Sequence, residues 1–357
     1  MGPPMPPPRR GGGGGLVIGL IGGGLVFLVI IALVVYAVSV SGKSPEEKLT
    51  AAASSMATAR AITLKGTFSG SETLRGELNV TKGGRAMGDV TWGGDKVTVL
   101  SADGKLFVKA DKSYWQHEIT TDDPYYLKAG LQWGRLDGDE LDIDFKRQLT
   151  PSVLASKLRS AGTSRIKPTE TTWQGKKALK FTTFSSTIYI TDEDDAELLH
   201  YEATSPRVTV DVTPQDSSAA SSLISDMRTS MGELKDSFNG SARPSVDEWD
   251  KSNCNSNSGC NVQAKIRPPL GVDGPVTIDV RFWITAGTLT GKNLGICTTR
   301  ITITSTLSKL ASCRVSTSAW RTWAKSTGGT FYKHVDYKVI GATSAEIQAL
   351  QNGLNSE

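Results

Sequence analysis

The sequence lacks the short motifs on which familiar catalytic sites are built. It contains no G-x-S-x-G nucleophile elbow, no H-E-x-x-H metal motif and no glycine-rich phosphate loop. Histidine is scarce, and the three that occur (His117, His200 and His334) are far apart along the chain. The acidic runs at residues 137–144 and 192–195 lack the ligand order of an EF-hand calcium loop. We therefore predict that the protein is not an enzyme and uses neither a cofactor nor a metal ion.

The sequence also lacks an excess of charge of one sign. Its 40 Lys and Arg residues nearly balance its 36 Asp and Glu residues, which gives a net charge of +4 over 357 residues. Acidic and basic residues are interspersed, whereas nucleic-acid-binding proteins concentrate basic residues in patches or stripes. We expect no nucleic-acid partner.

Cysteine is rare and confined to the last third of the chain. The four cysteines are Cys254, Cys260, Cys297 and Cys313, and four cysteines allow three disulfide connectivities. We predict the pairs Cys254–Cys260 and Cys297–Cys313, which require an oxidising compartment. Zinc sites favour closer Cys pairs or nearby His residues, so these spacings predict no metal site.

Long hydrophobic runs are absent except for one. An uncharged stretch of 25 residues begins at Leu16 and ends at Val40. A helix of that length, at about 1.5 Å per residue, exceeds a hydrocarbon core of about 30 Å. The stretch predicts a transmembrane helix at residues 16–40 after a disordered cytoplasmic tail at residues 1–15. The protein is then a single-pass protein of the cell membrane, with its N-terminus cytoplasmic and its C-terminal domains extracytoplasmic.

Two features of this stretch leave alternatives open. A weak cleavage-like pattern at Ala37-Val38-Ser39 permits a cleaved signal peptide instead of a retained anchor. Gly15, Gly19 and Gly23 form overlapping G-x-x-x-G spacings, which can bring two membrane helices close together. A homodimer through this glycine face is one interpretation, and the other is the ordinary frequency of glycine in membrane spans.

Residues 44–214 predict a first domain rich in β-strands. Ser44-Pro45 is a helix-start signal, and after Ala61 the hydrophobic period changes to two. Glycine-containing turns separate the alternating runs, as in a meander of antiparallel strands with one apolar face. The predicted inward side chains are those of Ile62, Leu64, Phe68, Leu74, Leu78, Val90, Trp92, Val97 and Val99.

Three glycines fall on the inward register of this meander. They are Gly66, Gly76 and Gly88, and each removes a side chain from the face that should be the fullest. Glycine is expected at bulges and at strong sheet curvature. The other interpretation is a sheet that curls around a space not filled by its own side chains. A curved sheet creates a concavity, so the two interpretations are compatible.

The first domain resembles the LppX/LprG family of actinobacterial cell-envelope lipoproteins. The resemblance rests on the N-terminal helix, the meander with its "DGKLFVK…W" strand, the helix after Thr150-Pro151 and the segment "IYITDEDDAELLHYEA". It implies a half-barrel closed by helices around an apolar cavity, similar to the LolA/LolB lipoprotein carriers, and a bound acylated lipid. The inward residues named above, with Gly66, Gly76 and Gly88, then line the cavity. The family is anchored by a lipidated cysteine, which this chain lacks at the corresponding place.

The rest of the chain predicts a connector and a second domain. Residues 215–245 form an amphipathic helix and a linker, with Leu223, Met227 and Met231 on the apolar face. Residues 246–357 contain six or seven short strands, which suggests a β-sandwich. The predicted fold class is mainly β (α+β): a transmembrane helix, a curved antiparallel half-barrel with helices in its concave face, and a disulfide-tied β-sandwich.

Two functions of different classes follow from these observations. The first is a membrane-anchored protein that binds or presents an acylated lipid or lipoglycan in an apolar cavity. The second is a cell-surface or signalling module that binds protein or glycan through its C-terminal domain, without a lipid ligand. A lipid that co-purifies with the first domain distinguishes the two.

Overall fold

The structure, a computed structural model, describes residues 42–70, 72–119, 124–164, 166–270, 274–326 and 329–357. The chain is mainly β, with seven α-helices and nineteen strands in these residues. One large sheet dominates the first half, and two smaller sheets form the second.

The described residues contain no transmembrane helix, against the prediction. No described helix is long and apolar enough to cross a membrane. The longest described helix, Ser217–Glu233, has 17 residues and buries only one face. The predicted span at residues 16–40, its glycine face and the tail before it lie outside the described residues. The fold class is therefore mainly β without a transmembrane helix in the described ranges. The same finding contradicts the predicted placement as a single-pass membrane protein with a cytoplasmic N-terminus.

The large sheet has twelve strands in the order β12-β6-β5-β4-β3-β2-β1-β11-β10-β9-β8-β7. Each run of alternating residues forms a strand, and neighbouring strands pair antiparallel except β12 with β6. The strands are β1 Ala61–Ser69, β2 Thr73–Thr81, β3 Ala86–Trp92, β4 Asp95–Ala102, β5 Lys105–Ala110, β6 Gln132–Leu136, β7 Thr169–Trp173, β8 Lys176–Thr182, β9 Ser186–Thr191, β10 Leu198–Thr204, β11 Arg207–Pro214 and β12 Phe238–Asn239.

One apolar cluster extends along a single face of the large sheet, which we call its concave face. Buried residues of β5, of β8 and of the strands between them belong to this cluster. The edge strands β12 and β7 do not pair, so the sheet is open.

Two helices lie on the concave face of the large sheet. Helix α1 (Pro45–Thr58) begins with a capping box between Ser44 and Glu47, and Thr150 caps helix α4 (Pro151–Thr163). Both helices have Pro in the first turn, where its missing N–H leaves no hydrogen bond unmade. They pack against each other and bury small and apolar side chains in the concave cluster. Two shorter helices, α2 (Lys112–Ile119) and α3 (Phe145–Gln148), complete this side.

The convex face carries a separate apolar cluster. Leu100 and Phe107 of the sheet meet helix α5 (Ser217–Glu233), which Asp216 caps. Helix α7 (Ser344–Gly353) packs beside α5, so it covers the first half of the protein although it follows the second half in sequence.

The second half consists of two sheets around one core. Strands β13 (Ser245–Trp249), β14 (Asn253–Asn255), β15 (Gly259–Arg267) and β18 (Lys309–Val315) form one sheet. Strands β16 (Val276–Ala286), β17 (Asn293–Ile303) and β19 (Phe331–Val339) form the other. Their inward residues and helix α6 (Ser318–Ser326) share a single apolar cluster.

Both predicted disulfides are present. Cys254–Cys260 joins the paired strands β14 and β15, and Cys297–Cys313 joins β17 of one sheet to β18 of the other. The described residues contain no free cysteine.

Candidate functional site: a cleft on the concave side

The nine predicted inward side chains lie together on the concave face. They belong to one apolar cluster with α1 and α4, and each is at most 4% exposed. The alternation in the sequence therefore identified the face of each strand that is buried. The residues are Ile62, Leu64, Phe68, Leu74, Leu78, Val90, Trp92, Val97 and Val99.

Two of the three glycines are neighbours in the sheet. Gly66 of β1 pairs with Gly76 of β2, and both have φ in the range that favours glycine, at +158° and +151°. A Cβ atom on Gly66 would lie 2.1 Å from the carbonyl oxygen of Thr209 in β11. A Cβ atom on Gly76 would lie 2.5 Å from the carbonyl oxygen of Asp89 in β3. The close approach of adjacent backbones accounts for both glycines through sheet geometry.

The third glycine is under the same constraint. A Cβ atom on Gly88 would lie 2.0 Å from the carbonyl oxygen of Glu77. Gly88 also borders a polar groove on the convex side, between the sheet and α5, with Thr63 and Gln215. The lining of an internal cavity by Gly66, Gly76 and Gly88 stays a prediction.

A cleft of about 960 Å³ opens at one end of the concave side. It lies between the β2–β3 and β4–β5 turns and the segment of residues 137–148, which we call the covering segment. Its apolar lining comes from Leu106 and from Leu141, Ile143 and Phe145. These four side chains also belong to the concave cluster, so the cleft borders the apolar core. Ser101 of β4 faces the cleft and is half-buried.

The covering segment alternates buried and exposed residues, and its backbone lies close to two glycines of the β1–β2 and β2–β3 turns. Leu141, Ile143 and Phe145 are buried, whereas the intervening Asp142 and Asp144 are exposed. A Cβ atom on Gly70 would lie 2.6 Å from the carbonyl oxygen of Leu141, and one on Gly84 would lie 2.3 Å from the Cα atom of Lys146. Gly70 and Gly84 lie beyond opposite ends of strand β2, so the covering segment runs across the concave side.

Ion pairs fix the rim of the cleft beside the β4–β5 turn. Arg85 contacts Asp103 at 2.9 Å and Glu357 at 2.5 Å, and the Glu357 side chain is fully buried. Lys105 contacts Glu346 at 2.8 Å. Burial alone would raise the pKa of Glu346, but hydrogen bonds from Lys105 and from Thr343 together lower it below its ordinary value of 4.5. These paired charges keep the rim polar above an apolar floor.

The arrangement suits a ligand with an apolar part and a polar part. Binding sites for small molecules are concave and have volumes of about 300–1,000 Å³. This cleft has a volume in that range, and its lining joins four apolar side chains to charged ones. The described residues contain no group of three or more His, Cys, Asp or Glu side chains that could hold a metal ion.

Sequence reasoning missed the covering segment. Its signal was present, because apolar and acidic residues alternate through Leu141, Asp142, Ile143, Asp144 and Phe145. An acidic run of this kind is typical of a solvated loop, whereas Leu141, Ile143 and Phe145 pack into the core.

No model of a known protein family matches the chain, and no curated protein matches it significantly.

Proposed function

We propose that the protein binds an acyl-chain amphiphile, such as an acylated lipid or lipoglycan, on the concave side of its large sheet. The observation that carries this proposal is the cleft, whose apolar floor of Leu106, Leu141, Ile143 and Phe145 continues into the concave cluster. An acyl chain that enters there replaces water contacts with apolar contacts. Each buried CH₂ group contributes about 0.8 kcal/mol, so four methylenes contribute about 3 kcal/mol.

The charged rim fits the same ligand. Lys105, Asp103 and Lys146 line the cleft beside its apolar floor, so an amphiphile that enters there meets charged as well as apolar side chains. The resemblance to the LppX/LprG family supports the same class of ligand, and it does so independently of the cleft.

The test fills the cleft without removing a core side chain. Ser101→Phe places an aromatic ring where the acyl chain is expected, so the affinity for a fluorescent acyl probe should fall about tenfold or more. Thr98→Phe is the matched control, since Thr98 lies on the same strand but faces the convex groove. Binding is measured by fluorescence titration, with native mass spectrometry of the purified protein to detect a co-purifying lipid.

Two results oppose the proposal. One is the absence of binding by any acyl probe to the folded protein. The other is equal loss of affinity in Ser101→Phe and Thr98→Phe, which would place the probe away from the cleft.

A further inference from the structure

One polar group on the concave face has no partner. Tyr201 of β10 is 1% exposed, and no described donor or acceptor lies within hydrogen-bond distance of its buried hydroxyl. A buried polar group without a partner costs about 1–3 kcal/mol. Such groups are rare in folded proteins and call for a physical explanation.

The surroundings of Tyr201 give no local explanation. Its neighbours across the sheet are Ile188 and Val210, and Val210 pairs in turn with Gly66. The whole row lies on the concave face, where the clustered side chains are apolar. Phenylalanine would fill the same volume without the cost of an unpaired hydroxyl.

A cation lies beside this hydroxyl-bearing ring. The Nζ atom of Lys157, on α4, is 5.6 Å from the centroid of the Tyr201 ring. Lys157 is half-buried, and no described carboxylate lies within ion-pair distance of it. The half-buried Lys157 and the buried hydroxyl of Tyr201, neither with an anionic partner among the described residues, thus lie between α4 and the sheet.

We propose that Tyr201 and Lys157 bind an anionic headgroup oxygen of the amphiphile, from a phosphate ester or a fatty-acid carboxylate. The inference rests on the proposed function and adds the ligand's headgroup class to it. The hydroxyl donates a hydrogen bond to the anion, and the ammonium supplies the opposite charge. Hydrogen bonds to ionised groups are about twice as strong as neutral ones, and a low-polarity environment increases the preference further.

The experiment compares ligands that share acyl chains and differ in headgroup. Dioctanoyl phosphatidic acid, dioctanoylglycerol, decanoate and inorganic phosphate are titrated separately into the purified protein by calorimetry. We expect phosphatidic acid to bind about tenfold more tightly than dioctanoylglycerol, because the neutral ligand leaves both groups unpaired. Decanoate shows whether a carboxylate serves as well as a phosphate. Phosphate alone should bind weakly, since it lacks the acyl chains.

Variants at the two residues separate headgroup recognition from folding. Tyr201→Phe and Lys157→Met should each reduce the preference for phosphatidic acid over dioctanoylglycerol about fivefold or more. Tyr201→Phe should leave the melting temperature of the unliganded protein unchanged or higher, because it removes an unpaired hydroxyl. A merely structural hydroxyl would instead lower the melting temperature when it is removed.

The same sheet offers a matched control on its other face. Lys180 lies 5.4 Å from the centroid of the Tyr189 ring, and Tyr189 is in the row of His200 and Asp211. Tyr189→Phe and Lys180→Met should therefore leave the headgroup preference unchanged.

The outcomes distinguish the inference from the proposed function. Equal affinity for phosphatidic acid and dioctanoylglycerol, or an unchanged preference in both Tyr201→Phe and Lys157→Met, overturns the headgroup inference alone. Failure of every acyl ligand to bind overturns the proposed function as well.

Discussion

Gly66 shows what a single absent side chain does in the large sheet. Its missing Cβ lets β11 approach, so that the Thr209 carbonyl oxygen would lie only 2.1 Å from a Cβ atom there. We expect Gly66→Ala to lower the free energy of unfolding by about 3 kcal/mol or more, because either the strand pair separates or the backbone is strained. Chemical denaturation measures this change.

Gly104 provides the control for that substitution. It also has a positive φ, at +76°, but nothing lies within 4 Å of a Cβ atom at this turn. Gly104→Ala should cost only about 1–2 kcal/mol, the conformational part of the effect. Equal costs at the two positions would show that close backbone approach is not the reason for Gly66.

Residue-level prediction succeeded where a constraint is local. Ile62, Leu64 and Phe68 are buried because alternate residues of a strand face the same side. On its β11 side, Gly66 pairs with Val210, which is distant in sequence. The close approach of the neighbouring Thr209 is therefore a property of the assembled sheet. For the same reason, nothing in the sequence places Lys157 beside Tyr201.

Among the elements, helix α7 depends on one carboxylate at its first turn. Glu346 forms a capping box with Thr343 and an ion pair with Lys105 of β5. The pKa of this carboxyl is lower in the folded protein than its ordinary value of 4.5. Its contribution to stability is therefore complete above pH 4.5 and is lost as pH falls through the lower, folded-state value.

This dependence is measurable as the stability of α7 against pH. The protection of the α7 amides, which is their exchange rate relative to the intrinsic rate at the same pH, should fall in the wild type below about pH 4.5. In Glu346→Gln this protection should be lower already at pH 7 and should change less on acidification. Glu248→Gln, which removes an exposed carboxylate paired with Lys265, is the control. Identical pH profiles for wild type and Glu346→Gln would contradict the role of this carboxyl.

The elements themselves differ in how far the sequence predicted them. Ser44-Pro45 and Thr150-Pro151 carry local start signals, and both helices begin there. The covering segment has no Ser-Pro or Thr-Pro signal, and it passes close to the backbone at Gly70 and Gly84, which is distant in sequence. The cleft that it forms was therefore not predictable from the strand pattern alone.

For the molecule as a whole, the two disulfides have unequal weight. Cys297–Cys313 links different sheets across a sequence separation of 16, whereas Cys254–Cys260 links paired strands across a separation of 6. Loop-closure entropy predicts that replacing Cys297 and Cys313 by alanine lowers the free energy of unfolding by about 3 kcal/mol. Replacing Cys254 and Cys260 should lower it by about 2 kcal/mol. Chemical denaturation of each variant, followed by tryptophan fluorescence, measures the two losses. A larger loss from the Cys254–Cys260 pair would contradict this ranking.

The path of the chain between its two halves has a consequence for how the protein can be divided. Phe238 and Ile340 form an antiparallel bridge, so the chain leaves the first half and returns to it at adjacent points. By connectivity, residues 245–339 are an insertion into a host that includes both α5 and α7. A fragment that stops at residue 214 looks complete as a strand meander, yet it would expose Leu100 and Phe107, which α5 and α7 cover. Excision of the insertion, with the bridge rejoined by a short turn, keeps α5 and α7 on the host sheet and uncovers Tyr125, which contacts Asp279 and Arg281 of the insertion.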